Sequence, residues 1–119
     1  MIVLVCGNNT ILSDLVSRNL MLRGYQVSEQ PLPSEDADGP LDMRGADIVV
    51  VDLDCQEPEL WRRAASVRTS MRGVPLVILG HGWPIGTQLD RLRPCKYVRK
   101  PFAIEQLVAA VREAPMKVT

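Results

Sequence analysis

The stretch Asp47-Ile48-Val49-Val50-Val51-Asp52-Leu53 decides the fold of this 119-residue chain. Its four consecutive β-branched residues form a strand without a polar face, which is typical of a parallel sheet covered by helices on both sides. Residues 75–79, Pro-Leu-Val-Ile-Leu, form a second strand of this kind, and residues 2–5, Ile-Val-Leu-Val, form a third. The sequence therefore predicts an α/β fold built on a buried parallel sheet.

The strands alternate with segments whose apolar residues recur at helical spacing. This spacing predicts helices over residues 11–22, 58–72 and 101–115, and a short helix over residues 87–93. Weaker strands are predicted over residues 25–28 and 97–99. Prolines and a glycine leave little room for a helix in residues 31–45, so one helix is expected to be degenerate or missing. With right-handed crossovers, this order gives a doubly wound sheet.

Composition limits the kind of protein. With 46% hydrophobic and 24% charged residues, the chain reads as one globular domain over residues 1–114, with residues 115–119 as a tail or the start of a linker. Three cysteines without CxxC spacing argue against a disulfide framework and a structural zinc site, and favour a reduced, cytoplasmic setting. No apolar run is long enough to span a membrane, so no membrane partner is expected.

Charge is unevenly distributed along the chain, although the net charge is zero. Residues 29–59 contain ten acids and one base, and residues 60–100 contain nine bases and one acid. These segments are either solvated helix faces or the two sides of a dipolar molecule whose basic side meets an acidic partner. Without an overall positive excess, nucleic-acid binding by this domain is not expected.

The carboxyl ends of the strands meet at one edge, where doubly wound proteins place their functional groups. There, Lys100-Pro101-Phe102, with Tyr97 three residues before the lysine, resembles the receiver domain of bacterial response regulators. Residues 47–53 and 75–79 resemble its third and fourth strands, and the resemblance covers residues 1–114. It implies a flavodoxin-like fold with five parallel strands in the order 2-1-3-4-5.

The resemblance also implies a phosphorylation site, of which this chain keeps half. Asp52 matches the phosphoacceptor, Lys100 the phosphate-binding lysine, and Asp54 the residue whose carbonyl helps to hold Mg²⁺. The family's acidic pair falls on Cys6 and Gly7, which carry no carboxylate. The family's hydroxyl residue falls on Gly80. We therefore expect metal binding through Asp52 and Asp54 to be weak or lost, with no other cofactor.

Two interpretations of the function follow. The first is a signalling module of the two-component or phosphorelay type, without enzymatic activity, that works mainly by protein–protein contact. In it Asp52 and Lys100 pair directly, because an unpaired buried charge is costly. The second is a working aspartyl-phosphate acceptor at Asp52 with weak metal binding. The expected partner is a sensor kinase or an output protein, and a homodimer through the last strand and helix is plausible.

The predicted output surface contains Trp83, Arg93, Lys96 and Tyr97. Trp83 is either an exposed aromatic anchor or a cover over the core. Tyr97 is either a switch residue whose rotamer a partner biases, or a surface tyrosine packed on the last helix.

Two further classes stay open. Gly7 begins a dinucleotide-type loop, but Thr10 and Ser13 replace the two other glycines of that fingerprint. Cys6, Cys55 and His81 also fall near the functional edge, where they would serve a redox or small-ligand module in the pocket left by Gly7 and Gly80.

Overall fold

The structure, a computed structural model, describes residues 1–32, 45–53, 58–82 and 88–116. Its strands are β1 (Ile2–Cys6), β2 (Gln26–Gln30), β3 (Ile48–Asp52), β4 (Leu76–His81) and β5 (Cys95–Lys100). Its α-helices are α1 (Thr10–Met21), α2 (Pro58–Ser70) and α3 (Ile104–Glu113). Two 3-10 turns, Asp90–Leu92 and Ala114–Met116, complete the described elements.

All five strands are parallel and form one sheet in the order β2-β1-β3-β4-β5. The central strand β3 is buried along its whole length, as its continuous apolar sequence predicts. This order confirms the predicted doubly wound, flavodoxin-like fold. The direction in which successive strands are added to the sheet reverses at β1, since β2 pairs with one edge of β1 and β3 with the other.

Side chains alternate across the sheet and divide the core into two layers. The layer under α1 and α3 contains Val5, Val50 and Leu79, each at most 1% exposed. The layer under α2 contains Val51 and Ile78, both fully buried. Because the two sheet faces are covered separately, the carboxyl ends of the strands stay accessible at one rim.

Helix α1 starts where the sequence provides a cap. The Oδ1 atom of Asn9 accepts a hydrogen bond from the Leu12 N–H at 3.1 Å, which satisfies one of the free amides of the first turn. At the other end, Gly24 adopts a φ of 92°, a conformation that favours glycine. The cap places Gly7 and Asn8 in a short loop directly above the end of β1.

The limits of several elements differ from the sequence prediction. Strand β5 begins at Cys95, because β4 pairs with it along all six residues. Helix α3 begins at Ile104 instead of residue 101, and the Gln106 side chain accepts a hydrogen bond from the Ala103 N–H at 2.8 Å. The described part of the predicted helix over residues 87–93 is only the 3-10 turn Asp90–Leu92.

The described ranges contain no α-helix between β2 and β3. The predicted irregular segment, residues 31–45, lies mostly outside them, in residues 33–44. Asp54, Cys55, Trp83 and residues 117–119 also lie outside the described residues. Predictions about these positions, and the domain limits at residues 114 and 115, stay predictions.

Candidate functional site

The candidate site lies at the carboxyl rim of the sheet. Asp52 is the last residue of β3, and Lys100 is the last residue of β5. The register pairs Asp52 with Leu79 of β4, and His81 with Lys100, so only β4 separates the two charged residues. The sheet thus brings together two side chains that are 48 positions apart in the sequence.

Asp52 and Lys100 form a direct ion pair. The Lys100 Nζ donates a hydrogen bond to Oδ1 of Asp52. The side chain of Lys100 is only 15% exposed, and that of Asp52 is only 7% exposed. A pair with so little solvent contact is held in place, because separating it would leave a buried charge without a counterion. The predicted direct pairing of these two residues is therefore present.

Gly7 lies close against Asp52. A Cβ atom added to Gly7 would stand 2.9 Å from Cβ of Asp52 and 3.3 Å from Oγ of Ser13. Real Cβ atoms essentially never approach another carbon this closely. The loop after β1 can hold this position because residue 7 has no side chain. An acidic residue would fit there only after the backbone or Asp52 moved.

Cys6 does not compensate for the missing carboxylates. Its side chain is fully buried among the residues under α2, and burial raises the pKa of its thiol to about 12. A neutral thiol in an apolar layer is a poor ligand for Mg²⁺, which prefers oxygen donors. The described residues also contain no group of three or more His, Cys, Asp or Glu side chains arranged around a metal position. Among the described residues at this rim, the side chains of Cys6 and Gly7 offer Mg²⁺ no oxygen ligand.

The position of the family's hydroxyl residue lies on β4, at Gly80. Gly80 is buried in β4 and offers no hydroxyl. Tyr97 lies on the same face of the sheet as Gly80 and packs against the layer under α2. Whether Tyr97 acts as a switch residue stays a prediction. Its hydroxyl lies 2.7 Å from the carbonyl oxygen of Gly82 and 3.1 Å from that of His81. Tyr97 therefore ties β5 to the loop that follows β4.

The basic residues of the predicted output surface take part in ion pairs. Arg93 contacts Asp90 at 3.0 Å, and Lys96 contacts Glu113 at 2.9 Å. The four side chains are between 21% and 74% exposed. Exposed pairs of this kind are weak and readily exchange partners, so they leave the charges available to another protein. Trp83, the predicted aromatic anchor, lies outside the described residues.

A cavity of about 480 Å³ opens beside Gly7, at the first turn of α1. Thr10, Ser13 and Glu29 line it, together with Gly7 and neighbouring residues. Cys6 and Gly80 do not line it, and His81 is exposed at the end of β4. Within the described residues, this cavity therefore does not include the Cys6 and Gly80 positions of the pocket considered from the sequence. The dinucleotide and redox interpretations stay predictions.

Arg68 is a structural residue that the sequence did not reveal. Its guanidinium donates hydrogen bonds to the carbonyl oxygens of Leu92, Met71 and Pro94, at distances from 2.8 to 3.2 Å. Burial lowers the pKa of this guanidinium. In the sequence, Arg68 is one of several arginines in the basic segment. Only the fold shows that it fixes the turn before β5 to the end of α2.

Neither a family model nor a curated protein matches the chain. Among the described residues, no helix is long and apolar enough to cross a membrane. Solved structures do match. The chain is similar to chemotaxis protein CheY4 of Vibrio cholerae, with 18% identity, 95% of this chain and 97% of that chain covered, and a TM-score of 0.74.

Two receiver domains match equally well. For the receiver domain of NtrX from Brucella abortus, the identity is 17%, the coverage 98% of this chain and 99% of that chain, and the TM-score 0.75. For the non-phosphorylated HemR receiver domain of Leptospira biflexa, the identity is 16%, the coverage 99% of this chain and 96% of that chain, and the TM-score 0.74. Identities this low concern the fold alone, and the fold agrees with the strand order. The chain has the fold of the receiver domains of response regulators.

Proposed function

We propose that this chain is an atypical receiver domain, without enzymatic activity, that transmits signals by protein–protein contact and does not work as a Mg²⁺-dependent phosphorylation switch. The proposal rests on the contacts that Asp52 makes at the carboxyl rim of the sheet. Asp52 is already paired with Lys100, and its Cβ atom lies too close to Gly7 to leave room for an acidic side chain at that position.

The charges at the rim support this proposal. Transfer of a phosphoryl group to a carboxylate brings negative charges together, and they need cationic compensation. At this rim the described residues provide one ammonium group, that of Lys100, which already neutralises Asp52. Neither Gly7 nor the buried thiol of Cys6 adds a metal-binding oxygen. Phosphorylation of Asp52 would therefore be poorly compensated.

The proposed contact surface is the side of β5, with Arg93, Lys96 and Tyr97. Arg93 is exposed and Lys96 is partly buried, and each is paired with one acid whose side chain is exposed. An acidic surface of a sensor kinase or an output protein can therefore replace Asp90 and Glu113 as their counterion. The hydroxyl of Tyr97 links this surface to the loop after β4, because it donates a hydrogen bond to the carbonyl oxygen of Gly82. A partner that displaces this loop would change the environment of Tyr97.

Intact-mass spectrometry tests the proposed loss of the phosphorylation switch. The protein is incubated with acetyl phosphate in the presence of Mg²⁺ or of a chelator, beside Asp52→Asn and the surface control Asp90→Asn. We expect no phosphoryl adduct on the folded wild type under either condition. An adduct that needs both Mg²⁺ and Asp52, and persists in Asp90→Asn, would establish the alternative, a working phosphoacceptor with weak metal binding.

A binding titration tests the contact surface. Candidate sensor kinases and output proteins are titrated against the wild type, the double variant Arg93→Glu/Lys96→Glu, and Arg23→Glu as a control on the opposite side of the sheet. We expect the double reversal to weaken binding by roughly tenfold or more, mainly through loss of charge complementarity. Equal loss in Arg23→Glu, or no loss in the double variant, would exclude the β5 side as the contact surface.

A further inference from the structure

The large apolar side chains on the surface are concentrated on one helix. Among the described residues, the exposed large hydrophobic side chains are those of Met1, Ile11, Leu15, Met21 and Leu22. Four of them belong to α1 or to the residue that caps it. Ile11 and Leu22 are 83% and 82% exposed, and Leu15 is 50% exposed. Exposed apolar side chains that cluster in this way mark an interaction surface.

The outward apolar residues of α1 are not a by-product of core packing. The helix buries Ser13, Val16, Ser17 and Leu20 against the sheet, so half of its buried positions are serines. Among the described residues, the hydroxyl oxygens of Ser13 and Ser17 find no hydrogen-bond partner. An ordinary surface helix would turn its leucines inward and its serines outward. In α1, Ile11, Leu15 and Leu22 instead face the solvent.

The outward residues have the spacing of a helix–helix seam. Ile11, Leu15, Arg18 and Leu22 are separated by four, three and four positions, as in the a and d positions of a coiled coil. At 1.5 Å per residue this seam is about 16 Å long. We call these four residues the α1 seam. A surface of this shape fits another helix better than it fits an extended peptide.

We propose that the α1 seam binds the same seam of a second copy of this chain, with the two helices antiparallel. In that arrangement Ile11 lies against Leu22 of the second copy at both ends, and Leu15 lies against Arg18 at the centre. Such a two-fold contact uses one patch twice and closes on itself. The proposal goes beyond the proposed function and does not depend on Asp52.

The charges of α1 suit this arrangement. Within one chain, Nε of Arg18 contacts Oδ2 of Asp14 at 3.1 Å, and both side chains are more than half exposed. In the antiparallel pair, Arg18 of each copy also comes within reach of Asp14 of the other copy. The four charges then alternate around the two-fold axis, with no like charges left facing each other. The seam is thus complementary to itself in both apolar and charged groups.

The β5–α3 side is less suited to pairing between copies. The exposed residues on α3 are charged or polar, among them Glu105, Gln106 and Arg112. No large apolar side chain on the described part of that side is among the exposed ones. The homodimer through the last strand and helix stays a prediction from the sequence, and the α1 seam is a separate and more apolar surface.

Sedimentation equilibrium of the full chain gives the first test. The α1 seam is smaller than a standard interface, so we expect a weak dimer whose population rises with protein concentration. We expect Leu15→Glu/Leu22→Glu to weaken the dimer by roughly tenfold or more, because it removes apolar anchors at the centre and end of the seam. Arg112→Glu on α3 is the matched control and should leave the dissociation constant unchanged. Circular dichroism checks that each variant is folded.

Mixing two charge variants gives the sharper test. Asp14→Arg has two cations and Arg18→Asp has two anions at the centre of the seam, so each should dimerise less well than the wild type. An equimolar mixture should form a heterodimer at least as tight as the wild-type dimer. A wild type that stays monomeric at roughly 1 mM would overturn the proposal, because a dissociation constant far above that concentration is too weak for a specific dimer. So would a dimer that Arg112→Glu weakens and the seam variants do not, or a mixture that associates no better than its components.

Discussion

The two halves of the carboxyl rim differ sharply. On β3 and β5, Asp52 and Lys100 keep charged side chains that touch each other with little exposure to solvent. On β1 and β4, Cys6, Gly7 and Gly80 provide either a buried neutral thiol or no side chain. The first half carries a pair of opposite charges, whereas the three residues named in the second half carry no carboxylate or hydroxyl group.

This difference indicates that the retained pair now has a structural role. A buried carboxylate needs a counterion whether or not it is phosphorylated, and Lys100 provides one within the chain. The residues on β1 and β4 have no such role, and the loop at Gly7 has packed against Asp52 instead. Variants of the Asp52–Lys100 pair and of Gly7 test the two halves separately.

The largest effect is expected from Lys100→Met, which leaves Asp52 buried without its counterion. We expect the free energy of unfolding to fall by about 3 kcal/mol or more, measured by urea denaturation at neutral pH. The control Lys96→Met breaks an exposed pair with Glu113 and should cost less than about 1 kcal/mol.

The double variant Asp52→Asn/Lys100→Met removes both charges and should recover most of the loss. If Lys100→Met were no more damaging than Lys96→Met, the pair would not stabilise the rim.

Gly7→Asp tests the second half. The new Cβ atom would stand 2.9 Å from Cβ of Asp52, so we expect a loss of about 1–3 kcal/mol from the forced shift of the loop. Gly7→Ala should show most of this loss without adding a charge. Asn8→Asp introduces the same acid at the next, exposed position and serves as the control. A Gly7→Asp protein as stable as the wild type would show that the rim opens easily.

Tyr97→Phe tests the tie between β5 and the loop after β4. It removes the hydroxyl that binds the carbonyl oxygens of His81 and Gly82, and we expect a loss of about 1 kcal/mol in thermal or urea unfolding. Tyr25→Phe is the control on the far side of the sheet. If both variants lost the same stability, the hydrogen bonds of Tyr97 would contribute nothing particular to the rim.

The smallest effect concerns the pH dependence contributed by Cys6. Its pKa is about 12 in the folded protein, above its ordinary value of 9.0, so the unfolded chain releases this proton first. The stability that Cys6 contributes is therefore complete below pH 9 and declines as the pH rises from 9 towards 12. By pH 9.5 the loss should be under about 1 kcal/mol.

The measurement compares the fall in stability between pH 8 and pH 9.5 in the wild type and in Cys6→Ala. The variant should fall less steeply, since its other titrating groups are unchanged. Equal slopes would mean that the Cys6 thiol is not protected by burial.

Much of the fold was predictable because its signals are local. The apolar runs in β1, β3 and β4 predict buried parallel strands, and the helical spacing over residues 11–22 places α1 within one residue of its observed ends. Strand β5 was predicted too short, since the pairing with β4 that extends it is not visible in its own mixed sequence. The start of α3 was placed too early, because Pro101 is acceptable at a helix start and only the Gln106–Ala103 contact sets the beginning.

The sequence by itself determined the order of strands and helices and the position of Asp52 and Lys100 at strand ends, because periodicity and residue type are properties of short segments. It also determined that Cys6, Gly7 and Gly80 lack the expected functional groups. Tertiary structure alone decided the contact of Lys100 with Asp52, the closure of Gly7 over that pair, the anchoring of a turn by Arg68, and the outward apolar seam of α1. These features depend on distances between residues far apart in the chain, which exist only once the sheet has formed.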